Sequence, residues 1–217
     1  MARKSLKKGK KREEKSEGKE EKGKIRRKQE RQIKIFLLVM FFLLVFIFAI
    51  YMFYLASVKF RYAGLEFEKV REGKLILYRT PVLPIFLRND PRELRDIKID
   101  SRIILKRKIG IAGNEKIIEE CEDSVLSATI LSIFLGKAGL QPFSATTNKS
   151  QAEKLNMSYV SCELESDYSA ILFEKADVAE IEKEGNCYIL KVSDCNILEV
   201  TERFIVASYA HSRGIEV

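Results

Sequence analysis

One histidine, four cysteines and a short run of arginines and acids are the residues of this chain whose types could do chemistry. A Ser/His/Asp arrangement would have to use the single histidine, His211, and no GxSxG elbow supplies its serine. Its position near the end of an apolar-periodic segment reads instead as a surface residue or a helix C-terminal charge. Phosphate-binding runs of the GxxxxGKS/T and GxGxxG types are missing. Paired carboxylates for glycoside chemistry could be drawn from the 25 acids beyond residue 34. Spacing along the chain, however, does not locate two carboxyls about 5–9 Å apart. The residues weigh against an enzyme and imply no cofactor.

The cysteines are Cys121, Cys162, Cys187 and Cys195. No CxxC pair or Cys/His cluster accompanies them, so no metal site is expected. Four thiols in an oxidising compartment tend to pair, in one of three ways. If the segment from Cys187 to Val192 is extended, the chain carries Cys195 roughly 20 Å away from Cys187. Bridged Cα atoms lie within about 7 Å, which disfavours joining those two. Of the two pairings left, Cys121–Cys195 with Cys162–Cys187 is preferred. Its first link joins two residues that each precede a helix start, and its second joins neighbouring strands.

The polar run Arg88-Asn89-Asp90-Pro91-Arg92, followed by Arg95 and Asp96, is the other candidate site. Asn or Asp before Pro favours a fixed turn. Such a turn could present Arg88, Arg92 and Arg95 as forked donors to carboxylates or anionic glycans. The plainer reading is an internal ion-pair corner in which Asp90 buttresses one arginine. Asn148-Lys149-Ser150 and Asn156-Met157-Ser158 are N-x-S sequons, which makes Asn148 and Asn156 glycosylation candidates.

What must position these residues starts with a membrane. From Ile35 to Ala56 the chain runs 22 residues without a charge. As a helix rising about 1.5 Å per residue, that is one bilayer crossing. Residues 1–34 hold 16 Lys/Arg against 6 Asp/Glu, whereas the remainder holds 23 against 25. The basic flank, with Arg26, Arg27, Lys28, Arg31 and Lys34 close to the span, places the N-terminus in the cytoplasm and residues 57–217 outside. A cleaved signal peptide is the rival reading, but its apolar stretch should be shorter, and Tyr54 stands where a small residue is wanted. Residues 1–34 have almost no apolar side chains and should stay disordered. They serve as a topology signal, or grip anionic headgroups at about 1 kcal/mol per basic residue. Interspersed glutamates and the lack of aromatics disfavour nucleic acid. The apolar span lacks GxxxG and polar residues, so nothing supports its self-association.

Residues 57–217 have the size of a single domain. Leu75 to Tyr78 form a β-prone run, and Pro81, Pro84 and Pro91 exclude a helix around them. Ile103–Leu105, then Ile109 and Ile111, suggest another strand or two. Val125, Leu126, Ile130, Leu131, Phe134 and Leu135 repeat near 3.6 residues, with Asp123 or Ser124 as N-cap and Gly136 or Gly139 at the end. Ser150-Gln151-Ala152-Glu153 matches a capping box for a short helix. Strands are expected at Tyr159–Leu164, Ala170–Glu174 and Cys187–Val192. The last follows Val178–Glu182 and a Glu184-Gly185-Asn186 hairpin turn. A helix from about Asn196 to His211 closes the chain with an apolar stripe of Ile197, Val200, Phe204 and Ala207, flanked by Leu198, Ile205 and Tyr209. The expected class is a mixed α/β or α+β extracytoplasmic domain preceded by one transmembrane α-helix.

The basic anchor, the Leu87-to-Arg95 stretch LRNDPRELR and the four cysteines together resemble a group of single-pass archaeal membrane proteins with an extracytoplasmic domain. No activity is attached to that group. A Lys/Glu/Ile-rich composition poor in Asn and Gln also suits an archaeal or thermophilic source. Two functions compete. One is a membrane-anchored interaction or structural module, partner to an envelope or membrane complex. The other is an envelope ligand-binding domain or enzyme acting on an anionic substrate. A flat apolar patch would favour the first, and a deep polar cleft with converging titratable groups the second.

Overall fold

The computed structural model describes residues 31–54, 56, 58–83, 85–113, 115–162 and 167–217. The reading of the basic tail concerns residues 1–30, which lie outside the described residues. The chain divides into two compact units between Ser57 and Val58.

The first unit contributes α1 (Arg31–Tyr54), a helix long and apolar enough to cross a membrane, whose most apolar 18 residues have a mean hydropathy of 3.1. Its aliphatic and aromatic side chains stand exposed all round.

The second unit is a mixed α/β domain built on two sheets. The smaller is an antiparallel meander of β1 (Lys59–Tyr62), β2 (Leu65–Glu72), β3 (Leu75–Arg79) and β4 (Phe86–Leu87), in that order. Leu65, Phe67, Tyr78 and Leu87 form its buried face, and Phe60 stacks on Phe67 with ring centroids 5.7 Å apart. A single 3-10 turn, Glu93–Asp96, follows Pro91.

The larger sheet has the order β5-β10-β11-β9-β6-β7-β8. Its strands are β5 (Lys98–Ile99), β6 (Lys108–Gly113), β7 (Gln141–Thr146), β8 (Ser158–Tyr159), β9 (Tyr168–Lys175), β10 (Glu180–Glu184) and β11 (Cys187–Val192). Neighbours from β8 through β11 pair in parallel, and β10 returns antiparallel through the two-residue turn Gly185-Asn186. Gly185 adopts φ 56°, and a Cβ there would lie 2.7 Å from the Cys162 carbonyl oxygen, so only glycine fits. Between the strands run α2 (Glu115–Glu120), α3 (Ser124–Lys137), α4 (Lys149–Leu155) and, last, α5 (Ile197–Ser212).

Strand parity divides the core. Ile109, Ile171, Phe173, Tyr188 and Leu190 face α3 and α5 and join the meander in one large cluster. Ala112, Ala170, Leu172 and Cys187 point the other way, into a smaller cluster with Ala145 and Val160. The side chains of α5 are buried on nearly every face, Glu202 and Arg203 included. Its expected apolar stripe is therefore only part of a largely enclosed helix.

Several expected elements differ. Ile103–Leu105 belongs to no strand, because side chains rather than a neighbouring ladder hold its backbone. The strand at Tyr159–Leu164 shrinks to β8, which meets only the last two residues of β7, and residues 163–166 lie outside the described ones. Val125 lies off the buried face of α3, 71% exposed, and Asp123 makes no cap bond to it. The cap of α4 is Asn148 rather than Ser150: its side-chain oxygen accepts from the backbone N–H of Ser150 and Gln151.

Candidate functional site

Disulfides join Cys121 to Cys195 and Cys162 to Cys187, with Cα separations of 5.3 and 5.2 Å. The first ties the α2–α3 junction to the approach to α5. The second pins the segment after β8 to the first residue of β11. The smaller ring lies within the larger one in sequence.

The arginine run does not converge on one site. Asp90 accepts from the backbone N–H, Nε and Nη2 of Arg92, the last at 2.6 Å. The Arg92 guanidinium holds the Asp90 carboxyl below the usual carboxylate range, while partial burial opposes it. Arg92 also lies 4.1 Å from the Phe60 ring centroid. Arg88 reaches the other way, its Nη1 3.5 Å from Asp123, and Arg95 stands exposed beside Asp96. Asn148 and Asn156 sit exposed at the two ends of α4, Asn156 as its left-handed C-cap.

The backbone of the same run leads to Glu202, which sequence reasoning passed over. Its carboxylate is fully buried in α5 and accepts from the Arg88 N–H at 2.6 Å, the Asn89 N–H at 3.0 Å and Asn89 Nδ2 at 3.0 Å. Burial pushes its pKa up to about 7 against the pull of those three donors. The next residue, Arg203, donates to the Ile97 carbonyl and to the Tyr62 hydroxyl.

His211 is buried, not a surface charge. Its Nδ1 accepts from the Ile103 N–H at 2.9 Å, and Arg102 donates to its carbonyl. Burial, then the charges of Arg102 and Arg203, lower its pKa and favour the neutral acceptor. On the adjoining peptide, Tyr188 accepts from the Ile104 N–H at 2.7 Å and donates to the Ile104 carbonyl at 2.8 Å. The Ser169 hydroxyl accepts from the Lys106 N–H. Three buried side chains thus fix segment 102–106 without a strand partner.

Among the cavities bounded by the described residues, three bear on a ligand or partner. Beside Arg203 lies a basin of about 590 Å³ that carries Arg95 and Lys98, but also Asp100, Glu180 and Glu216. A second lies at the carboxyl ends of β6 and β9, where the chain, having run outward through β7 and β8, returns to the other side of β6. Such switch points are where open α/β sheets bind ligands. Here Thr146 and Gln151 hydrogen-bond each other, Asn148 caps α4 and Lys175 pairs with Glu120, so these polar groups serve the fold. The third is an apolar groove of about 630 Å³ between α3, α5 and segment 102–105, lined by Ile103, Ile104, Leu105, Phe134, Leu140 and Tyr209. Ile104 stands on its edge 66% exposed, and its charged rim residue is Arg102. Among the described residues no group of three or more His, Cys, Asp or Glu could hold a metal.

Compared with protein-family models, curated proteins and solved structures, the chain matches none.

Proposed function

We propose that the chain is a membrane-anchored extracytoplasmic interaction module, held by α1 with its N-terminus in the cytoplasm, whose outer domain docks a protein partner. The observation that carries this reading is the apolar groove beside α5. Its floor is rigid because Tyr188, His211 and Ser169 hold the segment 102–106, and its exposed edge residue is Ile104. Arg102 at the rim favours a partner segment that combines apolar anchors with an acidic residue. Two disulfides fit an oxidising compartment. The alternative, a domain for an anionic substrate, draws less support: the basin beside Arg203 sets three acids against three bases, and Arg92 is folded onto Asp90.

The test is cross-linking and affinity purification of the full-length protein from its native membrane, as wild type, Ile104→Glu and Val125→Glu. Val125 is an exposed apolar residue outside the groove lining. A stoichiometric partner kept by Val125→Glu and lost with Ile104→Glu supports the reading. A partner kept by both, or none at all, removes it.

A further inference from the structure

The meander carries an apolar feature that the groove does not explain. Lys59, the first residue of β1, pairs with Glu68, yet β2 runs four residues further, to Glu72. On the other side β4 reaches only Tyr78 and Arg79 of β3. The end of the β2–β3 hairpin therefore projects as a two-stranded ribbon about 14 Å past the start of β1. Its turn is Gly73-Lys74, with Gly73 at φ 62°. At its tip Leu75 is 51% and Ile76 45% exposed, among the exposed charges of Arg71, Glu72 and Lys74, with Glu72 paired opposite Leu75. Phe86, paired with Arg79 on the same sheet, is 49% exposed. A two-stranded ribbon is marginal in water by itself, and exposed aliphatic residues at its tip call for cover.

Connectivity bears on what the cover could be. β1 runs away from the tip, so the chain enters the meander at the tip's end. Only residues 55–58 separate Tyr54, where α1 ends, from Lys59. Even fully extended, that chain reaches no more than about 18 Å. We propose that the β2–β3 hairpin tip, Leu75 and Ile76 flanked by Arg71 and Lys74, docks into the headgroup boundary of the bilayer that α1 spans. Leucine and isoleucine enter the acyl boundary while arginine and lysine meet phosphates, the division of labour of interfacial segments. The inference rests on the membrane-anchored reading of α1.

The chain has no tryptophan, so a single introduced one reports alone. Full-length Leu75→Trp, Ile76→Trp, Val178→Trp and Phe46→Trp would be reconstituted into vesicles with and without lipids brominated near the headgroup or deep in the acyl chain. Val178 is exposed in the domain, and Phe46 lies within α1. The expected result is blue-shifted emission from Leu75→Trp and Ile76→Trp with loss of intensity to shallow bromines, quenching of Phe46→Trp by deep bromines, and no loss from Val178→Trp. If Phe46→Trp is quenched while both tip probes behave like Val178→Trp, the docking inference is overturned and the anchor stands. If Phe46→Trp is not quenched, the anchored reading fails and takes the inference with it. A blue shift of the tip probes without quenching would assign the tip to a second copy of the chain, and would also overturn it.

Discussion

Arg88 donates its backbone N–H to the Glu202 carboxylate across 2.6 Å, a contact between residues 114 positions apart. It fastens the loop after β4 to the middle of α5, inside the core. The charge of Glu202 thus serves as a structural acceptor, and its cost is the burial that raises its pKa.

That cost should appear as a pH dependence of stability. The ordinary value for a glutamate is 4.5, and in the fold Glu202 rises to about 7. Between those values the folded chain keeps a proton that the unfolded chain has lost. The stabilisation is full below pH 4.5 and is lost as pH rises through 7, by an amount on the order of 3 kcal/mol. Urea unfolding of the full-length protein in detergent, from pH 4 to 8, should show that decline when Glu202→Gln is taken as the baseline. A flat difference curve would mean that the three donors offset burial, and stability rising with pH that they outweigh it.

His211 has the opposite sign. Its pKa in the fold is lowered, so its stabilisation is present above the ordinary 6.5 and is lost as pH falls through the folded value. Protonated Nδ1 no longer accepts from Ile103. His211→Phe should lose about 1–3 kcal/mol at neutral pH and with it this acid-side decline. The same unfolding series checks both.

Tyr188→Phe removes one hydroxyl and leaves the N–H and the carbonyl of Ile104 without it. The expected loss is about 1–3 kcal/mol, with faster amide exchange at Ile104 and Lys106 than at residues of β9. Unchanged exchange at Ile104 would show that segment 102–106 does not depend on this hydroxyl.

The two disulfides should differ in worth. Chain separations of 74 and 25 residues correspond to about 4.5 and about 3.5 kcal/mol in a loop-closure account. Replacing Cys121 and Cys195 together by serine should therefore lower the unfolding midpoint more than replacing Cys162 and Cys187. The reverse order would locate their worth in the folded state instead.

Local pattern was legible where local physics decides. The 3.6-residue period announced α3 and α5, and β11 runs from Cys187 to Val192 as its β-branched and aromatic run suggested. The same extended run sets Cys195 too far along the chain from Cys187 for those two to bridge. The rest depends on partners distant in sequence. Ile103–Leu105 has strand-like residues but finds Tyr188 and His211 where a ladder would be. Glu202-Arg203 drew no notice in the sequence, because nothing local says that the meander and the loop after it enclose that face. The six-residue α2 is too short to show a period. Of the candidate site, the Asn89-Asp90-Pro91 turn was visible, while its use of backbone N–H groups to hold a buried carboxylate was not.

The nesting of the disulfides bears on how, with α1 as a membrane anchor, the second unit could be released. Cys121–Cys195 spans most of the larger sheet, so a protease that breaks the backbone anywhere between those residues still leaves the distal fragment, α5 included, covalently attached to the part that carries α1. Between Cys162 and Cys187 both bridges would hold it. Shedding of this domain therefore requires cleavage before Cys121, most directly in the few residues after α1, or a reductant acting together with the protease.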